Sequence, residues 1–147
     1  MRRFAFLGFL LTLIIGSWLT APDVSAEDES QVVFRGDYMW NVDGHRNELE
    51  AVFTPTGDGL WKVEFHFKYA RREGIYEGNA QGSLESGDIY GEVKDGAGVV
   101  RYRFEAKVQG DRMKGKHFNI WSGRKKETGT LDLGRVNGAS AGSSEVV

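Results

Sequence analysis

The sequence predicts an all-β fold, an eight-stranded antiparallel up-and-down meander closed into a barrel. Three observations predict it. Apolar and polar residues alternate with a period of two through most of residues 31–135, where no helical apolar period of useful length occurs. Turn residues interrupt this alternation about every 8–12 positions, a spacing typical of β-sandwiches and barrels. Gly contributes 20 of the 147 residues, whereas Pro contributes 2.

The composition excludes several classes of protein. With 40% hydrophobic and 27% charged residues, the chain belongs with folded domains rather than disordered ones, and its length suits one domain. A formal net charge of −2 offers no electrostatic case for binding nucleic acid. The absence of Cys excludes disulfides, thiolate metal sites and a Cys nucleophile.

Residues 1–26 have the order of a secretory signal peptide. Arg2 and Arg3 precede an uncharged, mostly apolar run over residues 4–20, and small side chains lead to Ala26. We expect cleavage after Ala26. The alternative is an uncleaved membrane anchor, for which the apolar run is at the lower length limit.

Cleavage would leave a β-barrel domain over residues 27–136 and a tail over residues 137–147 that we expect to be disordered. The segment removed carries two cations and one anion, which takes the net charge from −2 to −3. An exported chain without Cys is typical of a bacterial periplasmic or extracellular protein. After cleavage it would have no stable membrane anchor.

The turn residues predict which inward residues face each other. Asp43-Gly44 has the signature of a two-residue hairpin turn, and further turns are expected at residues 71–74, 86–87, 96–97, 110–111 and 122–124. The opposed pairs that follow include Tyr38–Leu49, Phe65–Ala80, Gly82–Gly91, Gly91–Tyr102, Phe104–His117, Ala106–Gly115, Val108–Met113, His117–Gly129 and Gly115–Leu131.

The predicted sheet has one apolar face, and closing the sheet into a barrel would bury that face. No helix is available to cover that face, and a barrel buries it while removing both edge strands. Inward glycines permit the coiling that closure needs; they are Gly36, Gly78, Gly82, Gly91, Gly115 and Gly129.

The opening Phe34-Arg35-Gly36-Asp37-Tyr38, followed by the eight-strand meander, resembles the calycin group of barrels, which includes lipocalins, fatty-acid-binding proteins and avidins. Tyr38 stands where the lipocalin Gly-x-Trp start has Trp. The resemblance implies an architecture and a ligand at one open end, and it transfers no binding residue.

The strand directions predict two different barrel ends. The lower end receives an apolar plug that includes Phe34, Phe53 and Leu133. The upper end receives amphipathic aromatic and polar side chains, which suit a small-molecule site. The candidate ligand-binding residues are Trp40, Asn47, Tyr69, Tyr76, Tyr102, His117, Asn119, Trp121 and Glu127. The alternative is that these residues satisfy one another as an internal network.

The sequence predicts no enzyme, no metal site and no cofactor. The three histidines share no metal-ligand spacing, and no nucleophile elbow or phosphate loop occurs. An acid–base dyad of His117 and Glu127 is conceivable on adjacent inward positions, but it lacks a third orienting group. The expected function is therefore binding of a small aromatic or anionic ligand, with basic upper turns favouring an anion.

A second function class remains open, a ligand-free interaction module of the cell envelope, such as an inhibitor or assembly factor, that uses its loops or the outer wall of the barrel. Phe118 and Ile120 alternate outwards on one strand, beside basic residues. If exposed together, they would form a patch suited to a protein partner or to self-association.

Overall fold

The computed structural model describes residues 30–137, and in that range it contains eight β-strands and no helix. The predicted signal peptide and residues 138–147 of the predicted tail lie outside the described residues. Within them, nothing qualifies as a helix of membrane-spanning length and hydropathy. The strands are β1 (Val32–Trp40), β2 (Arg46–Gly57), β3 (Leu60–Tyr69), β4 (Arg72–Gly82), β5 (Ser86–Lys94), β6 (Val100–Gln109), β7 (Arg112–Trp121) and β8 (Arg124–Arg135).

Each strand pairs antiparallel with the next, and β1 pairs with β8, so the meander is a closed barrel. The predicted fold class is confirmed, and the architecture is compatible with that of the calycin group. Alternate side chains point inwards and form one core that includes Phe34, Phe53, Val63, Phe104 and Leu133. Closure buries the apolar face of the sheet, leaves the polar face in water and removes the exposed sheet edges.

The predicted register is confirmed where strands β6, β7 and β8 meet. Phe104 faces His117, and His117 faces Gly129. The β1–β2 register is wrong by two residues, because the chain reverses over residues 41–44 rather than over Asp43-Gly44 alone. The Trp40 amide donates to the His45 carbonyl at 3.0 Å, and Tyr38 faces Asn47.

The β3–β4 register is wrong by four residues. Ala70 and Arg71 form a two-residue turn in which both have positive φ, 48° and 66°. This turn is tighter than the predicted one at residues 71–74, and it places Phe65 opposite Tyr76. The next two predicted registers are each wrong by two residues, since Gly82 faces Ile89 and Gly91 faces Phe104. All of these shifts are even, so none of them moves a side chain from the inner face to the outer face.

A β-bulge interrupts the β7–β8 ladder. His117 pairs with Gly129 but Phe118 pairs with Glu127, which leaves Thr128 as the extra residue of β8. Beyond the bulge the alternation of β8 is reversed relative to the prediction. Glu127 and Lys125 therefore lie on the outer wall, where they bind Lys116 and Glu105.

The lower end of the barrel is closed by side chains, as predicted. The Trp61 indole donates to the Gly82 carbonyl at 3.1 Å. The Arg135 guanidinium lies 4.9 Å from the centroid of the Phe34 ring and donates to the Leu84 carbonyl. These contacts leave the upper end as the side of the barrel where a cavity opens.

Candidate functional site

A cavity of about 680 Å³ opens at the upper end of the barrel. This volume lies in the range of small-molecule sites in proteins. It is mostly aromatic and apolar at its base and walls. Its lining residues are Tyr38, Trp40, Val42, Asp43, His45, Asn47, Leu49, Phe65, Phe67, Tyr69, Ala70, Tyr76, Tyr102, His117 and Leu131. We refer to it as the upper cavity.

Six of the nine predicted site residues line the upper cavity: Trp40, Asn47, Tyr69, Tyr76, Tyr102 and His117. They come from strands β1, β2, β3, β4, β6 and β7, so the closed sheet brings distant parts of the chain to one mouth. Tyr69 stands at the rim and is largely exposed, whereas Tyr76 and Tyr102 are half-buried.

The other three predicted residues, Asn119, Trp121 and Glu127, do not line the cavity. Continuing the predicted His117–Gly129 register would place Asn119 opposite Glu127, but the bulge at Thr128 places it opposite Lys126. Trp121 is 75% exposed at the end of β7, and the carboxylate of Glu127 lies 2.8 Å from the Lys116 ammonium on the outer wall.

Sequence reasoning missed several lining residues. The alternation places Tyr38, Phe65 and Phe67 on the inner face but does not mark them as site residues, because the predicted β1–β2 loop is two residues too short and the predicted β3–β4 loop is two residues too long. The sequence does contain a sign of the bulge. Strict alternation along β8 places the charged residues Glu127 and Lys125 on the same inner face as Leu131 and Leu133. A break in alternation at Thr128 resolves that conflict.

Trp40 is the centre of an aromatic cluster in the cavity wall. Its ring centroid lies 5.2 Å from that of His117, 5.7 Å from that of Tyr102 and 6.1 Å from that of Tyr38, all in edge-to-face arrangements. Such contacts between ring edges and faces hold aromatic side chains in defined orientations. The wall is therefore a preformed set of aromatic surfaces.

Phe67 and Tyr76 form a second aromatic pair in the same cavity. Their ring centroids are 4.6 Å apart, and Tyr76 continues to Tyr102 at 6.1 Å. The two clusters thus share Tyr102 and line a continuous aromatic surface.

Asn47 supplies the unpaired polar group of the cavity. Its side-chain nitrogen Nδ2 is buried and has no hydrogen-bond partner among the described residues. A buried amide that lacks a partner costs about 1–3 kcal/mol. Asn47 lines the upper cavity, so a rotation of its amide would offer this donor to an acceptor atom of a bound molecule.

The imidazole of His117 is held by two hydrogen-bonding groups, the Met39 carbonyl and the Thr128 hydroxyl. Its Nε2 lies 3.0 Å from the Met39 carbonyl, its Nδ1 lies 2.8 Å from Thr128 Oγ1, and that hydroxyl also lies 3.1 Å from the His117 carbonyl. Because a carbonyl can only accept, Nε2 carries a proton. Nδ1 of the neutral ring is an acceptor, so the single Thr128 hydroxyl proton can go either to Nδ1 or to the His117 carbonyl, but not to both; the neutral ring takes it at Nδ1. Burial lowers the pKa of His117 below its ordinary 6.5, which favours this neutral form.

Two tyrosines of the cavity wall, Tyr38 and Tyr102, are also uncharged at neutral pH. Burial, assisted by the neighbouring Tyr76 and Tyr38, raises the pKa of Tyr102 to about 12. Burial likewise raises the pKa of Tyr38. Among the described residues, no Lys or Arg lines the cavity, and the one lining carboxylate is that of Asp43 in the β1–β2 turn at the mouth. The interior is therefore electrically neutral.

The conceivable acid–base dyad is not formed, because Glu127 binds Lys116 outside the barrel while both His117 nitrogens have other partners. The described residues hold no group of three or more His, Asp or Glu side chains arranged to bind a metal ion.

No protein-family model matches the chain, and neither a curated protein nor a solved structure matches it.

Proposed function

We propose that this protein is an exported, non-enzymatic barrel that binds one small, uncharged aromatic molecule in the upper cavity. The observation that carries the proposal is the combination of a preformed aromatic wall with one buried, unpartnered donor, Asn47 Nδ2. The resemblance to calycin barrels supports it, since such barrels often bind a ligand at one open end.

The charge of the cavity wall favours a neutral ligand over an anionic one. His117, Tyr38 and Tyr102 are neutral for the reasons given above, and Asp43 would repel an anion at the mouth. The basic side chains of the upper turns lie outside the cavity lining. They can attract an anion to the surface, but they offer it no partner inside.

The bound molecule should carry a hydrogen-bond acceptor. A carbonyl or ether oxygen placed beside Asn47 Nδ2 would satisfy the amide, while aromatic faces of the ligand would pack against Trp40 and Tyr102. An aliphatic molecule of the same volume would leave the Asn47 amide unpaired. We therefore expect the aliphatic molecule to bind more weakly than a molecule that carries an acceptor.

The outer-wall alternative receives less support. Phe118 is only 8% exposed, because the Lys125 side chain covers it with its ammonium 4.0 Å from the ring centroid, and Ile120 is half-buried. The exposed patch on which an interaction through these two residues depends is therefore not formed.

The proposal is tested with two fluorescent probes that differ in charge, neutral N-phenylnaphthylamine and the anionic anilinonaphthalene sulfonate. We expect the neutral probe to bind more tightly and to quench Trp40. A Trp40→Phe variant should lose most of the quenching, whereas Trp61→Phe, at the plugged end, and Trp121→Phe, outside the cavity, should keep it. Equal quenching in all three variants, or preference for the anionic probe, would contradict the proposal.

A further inference from the structure

Each of the four turns at the upper end exposes one large apolar side chain. They are Val42, Tyr69, Val99 and Trp121, which are 92%, 59%, 50% and 75% exposed. They come from the β1–β2, β3–β4, β5–β6 and β7–β8 connections, so they surround the mouth of the cavity. We call these turns the upper rim. At the lower end, Leu60 is the comparable exposed residue.

The same turns carry cations without ionic partners. Arg71, Arg72, Arg124 and Lys126 are exposed, and none of them belongs to an ion pair among the described residues. Asp43 is an exposed rim anion that is likewise in no ion pair among the described residues, so these four cations outnumber it; Glu73 lies 3.9 Å from Lys68. Asp95 binds Arg101 at 2.6 Å and accepts hydrogen bonds from the Ala97 and Val99 amides.

The opposite end has the opposite charge. Asp58 and Glu85 are exposed in the lower turns and belong to no ion pair among residues 30–137. Within residues 30–137 the barrel is therefore polarised along its axis, because unpaired cations and exposed apolar tips occur together at the open end. An anionic surface would orient this end towards itself.

We propose that the upper rim docks onto an anionic phospholipid surface, with the mouth of the cavity facing the bilayer. Trp and Tyr side chains are favoured at the boundary between lipid and water, and Lys and Arg bind anionic headgroups there. The four apolar tips are short enough to enter the headgroup region while the barrel remains in water.

A lipid surface fits this rim better than an acidic protein does. A stable protein interface needs a closely packed apolar centre. Here the apolar tips lie on separate turns, and the centre that they surround is the opening of the cavity. Headgroups and acyl chains can pack around separate tips, whereas a folded partner would leave the opening unfilled.

The test measures binding of the full chain to vesicles of phosphatidylcholine with and without phosphatidylglycerol. An Arg124→Gln/Lys126→Gln variant should bind the anionic vesicles about thirty-fold more weakly, since each cation near an anionic membrane contributes about 1 kcal/mol. The matched control, Lys107→Gln/Lys114→Gln, loses the same charge on the outer wall and should bind as the unmodified chain does. All of these proteins share the same N-terminal segment, so its contribution cancels.

A second pair of variants tests the apolar tips without changing charge. Val42→Ser should weaken binding to the anionic vesicles, whereas Leu60→Ser, at the lower end, should not. The proposal is overturned if the rim variants bind like their controls, if phosphatidylglycerol makes no difference, or if the rim retains an acidic protein but no vesicle. These measurements use no cavity ligand, so they succeed or fail independently of the binding function proposed above.

Discussion

The imidazole of His117 on β7 crosses the inner face of β8 to bind the main-chain carbonyl of Met39 on β1, with Nε2 3.0 Å from the oxygen. It passes directly over Gly129, where an added Cβ would lie 2.3 Å from Nε2 and 1.7 Å from the Met39 oxygen. One side chain thus ties together the three strands at which the barrel closes, beside the cavity wall.

The burial of His117 at this junction makes stability depend on pH, and it outweighs the Met39 hydrogen bond, which acts on the pKa in the opposite direction. Since burial holds the pKa of His117 below its ordinary 6.5, the unfolded chain binds more protons between the lowered value and 6.5. The contribution to stability is complete above 6.5 and is lost as the pH falls through that window. Urea unfolding across this range should therefore show a falling free energy of unfolding. A His117→Gln variant should flatten that fall, whereas His45→Gln, in an exposed turn, should not. Identical pH profiles in all three proteins would contradict this assignment.

Asn47 should oppose stability while favouring binding. Replacing it by Leu removes a buried amide without a partner, so we expect an Asn47→Leu variant to be about 1 kcal/mol more stable in the absence of ligand. The same variant should bind N-phenylnaphthylamine with little change but should lose affinity for analogues that carry a carbonyl acceptor. Asn79→Leu, on the exposed face of β4, serves as the control. A destabilised Asn47→Leu variant would show that the amide has a partner inside the barrel.

Gly115 should tolerate no side chain, because a Cβ there would lie 2.2 Å from the Glu105 carbonyl oxygen and 2.5 Å from the Ala106 Cβ. Gly91 is similarly close to the Asn79 carbonyl, at 2.4 Å. We expect Gly115→Val and Gly91→Val to cost about 1–3 kcal/mol each, measured by thermal or urea unfolding. Gly96→Ala is the matched control, since nothing lies within 4 Å of its added Cβ. Unchanged melting temperatures in the two Val variants would contradict this expectation, because they would mean that the neighbouring strands can move apart without a loss of stability.

Processing of the N-terminus gives a prediction on residues outside the described range. Mass spectrometry of the protein recovered from the cell envelope should find Glu27 as the first residue, since cleavage is expected after Ala26. Recovery of an intact Met1 or Arg2 terminus in a membrane fraction would instead identify the segment as a retained anchor.

Much of the fold and part of the site could be predicted from the sequence. Alternation placed Phe34, Tyr102 and His117 inside, and two-residue periodicity is a property of the backbone that any strand must obey. The lower plug and the upper aromatic end followed from strand direction. Errors of two or four residues in register did not disturb this, because an even shift exchanges positions along a face and never between faces.

What the sequence by itself determined is therefore the side of the sheet on which most residues lie. Only the tertiary structure decided their height in the barrel and their partners. The reversal at Ala70-Arg71 depends on two strained backbone conformations, and the bulge at Thr128 depends on the hydrogen bonds that His117 makes with β8 and, across it, with β1. These are small local free-energy differences that closure of the whole barrel selects, and they moved Glu127 to the outer wall and left Asn119 and Trp121 off the cavity lining.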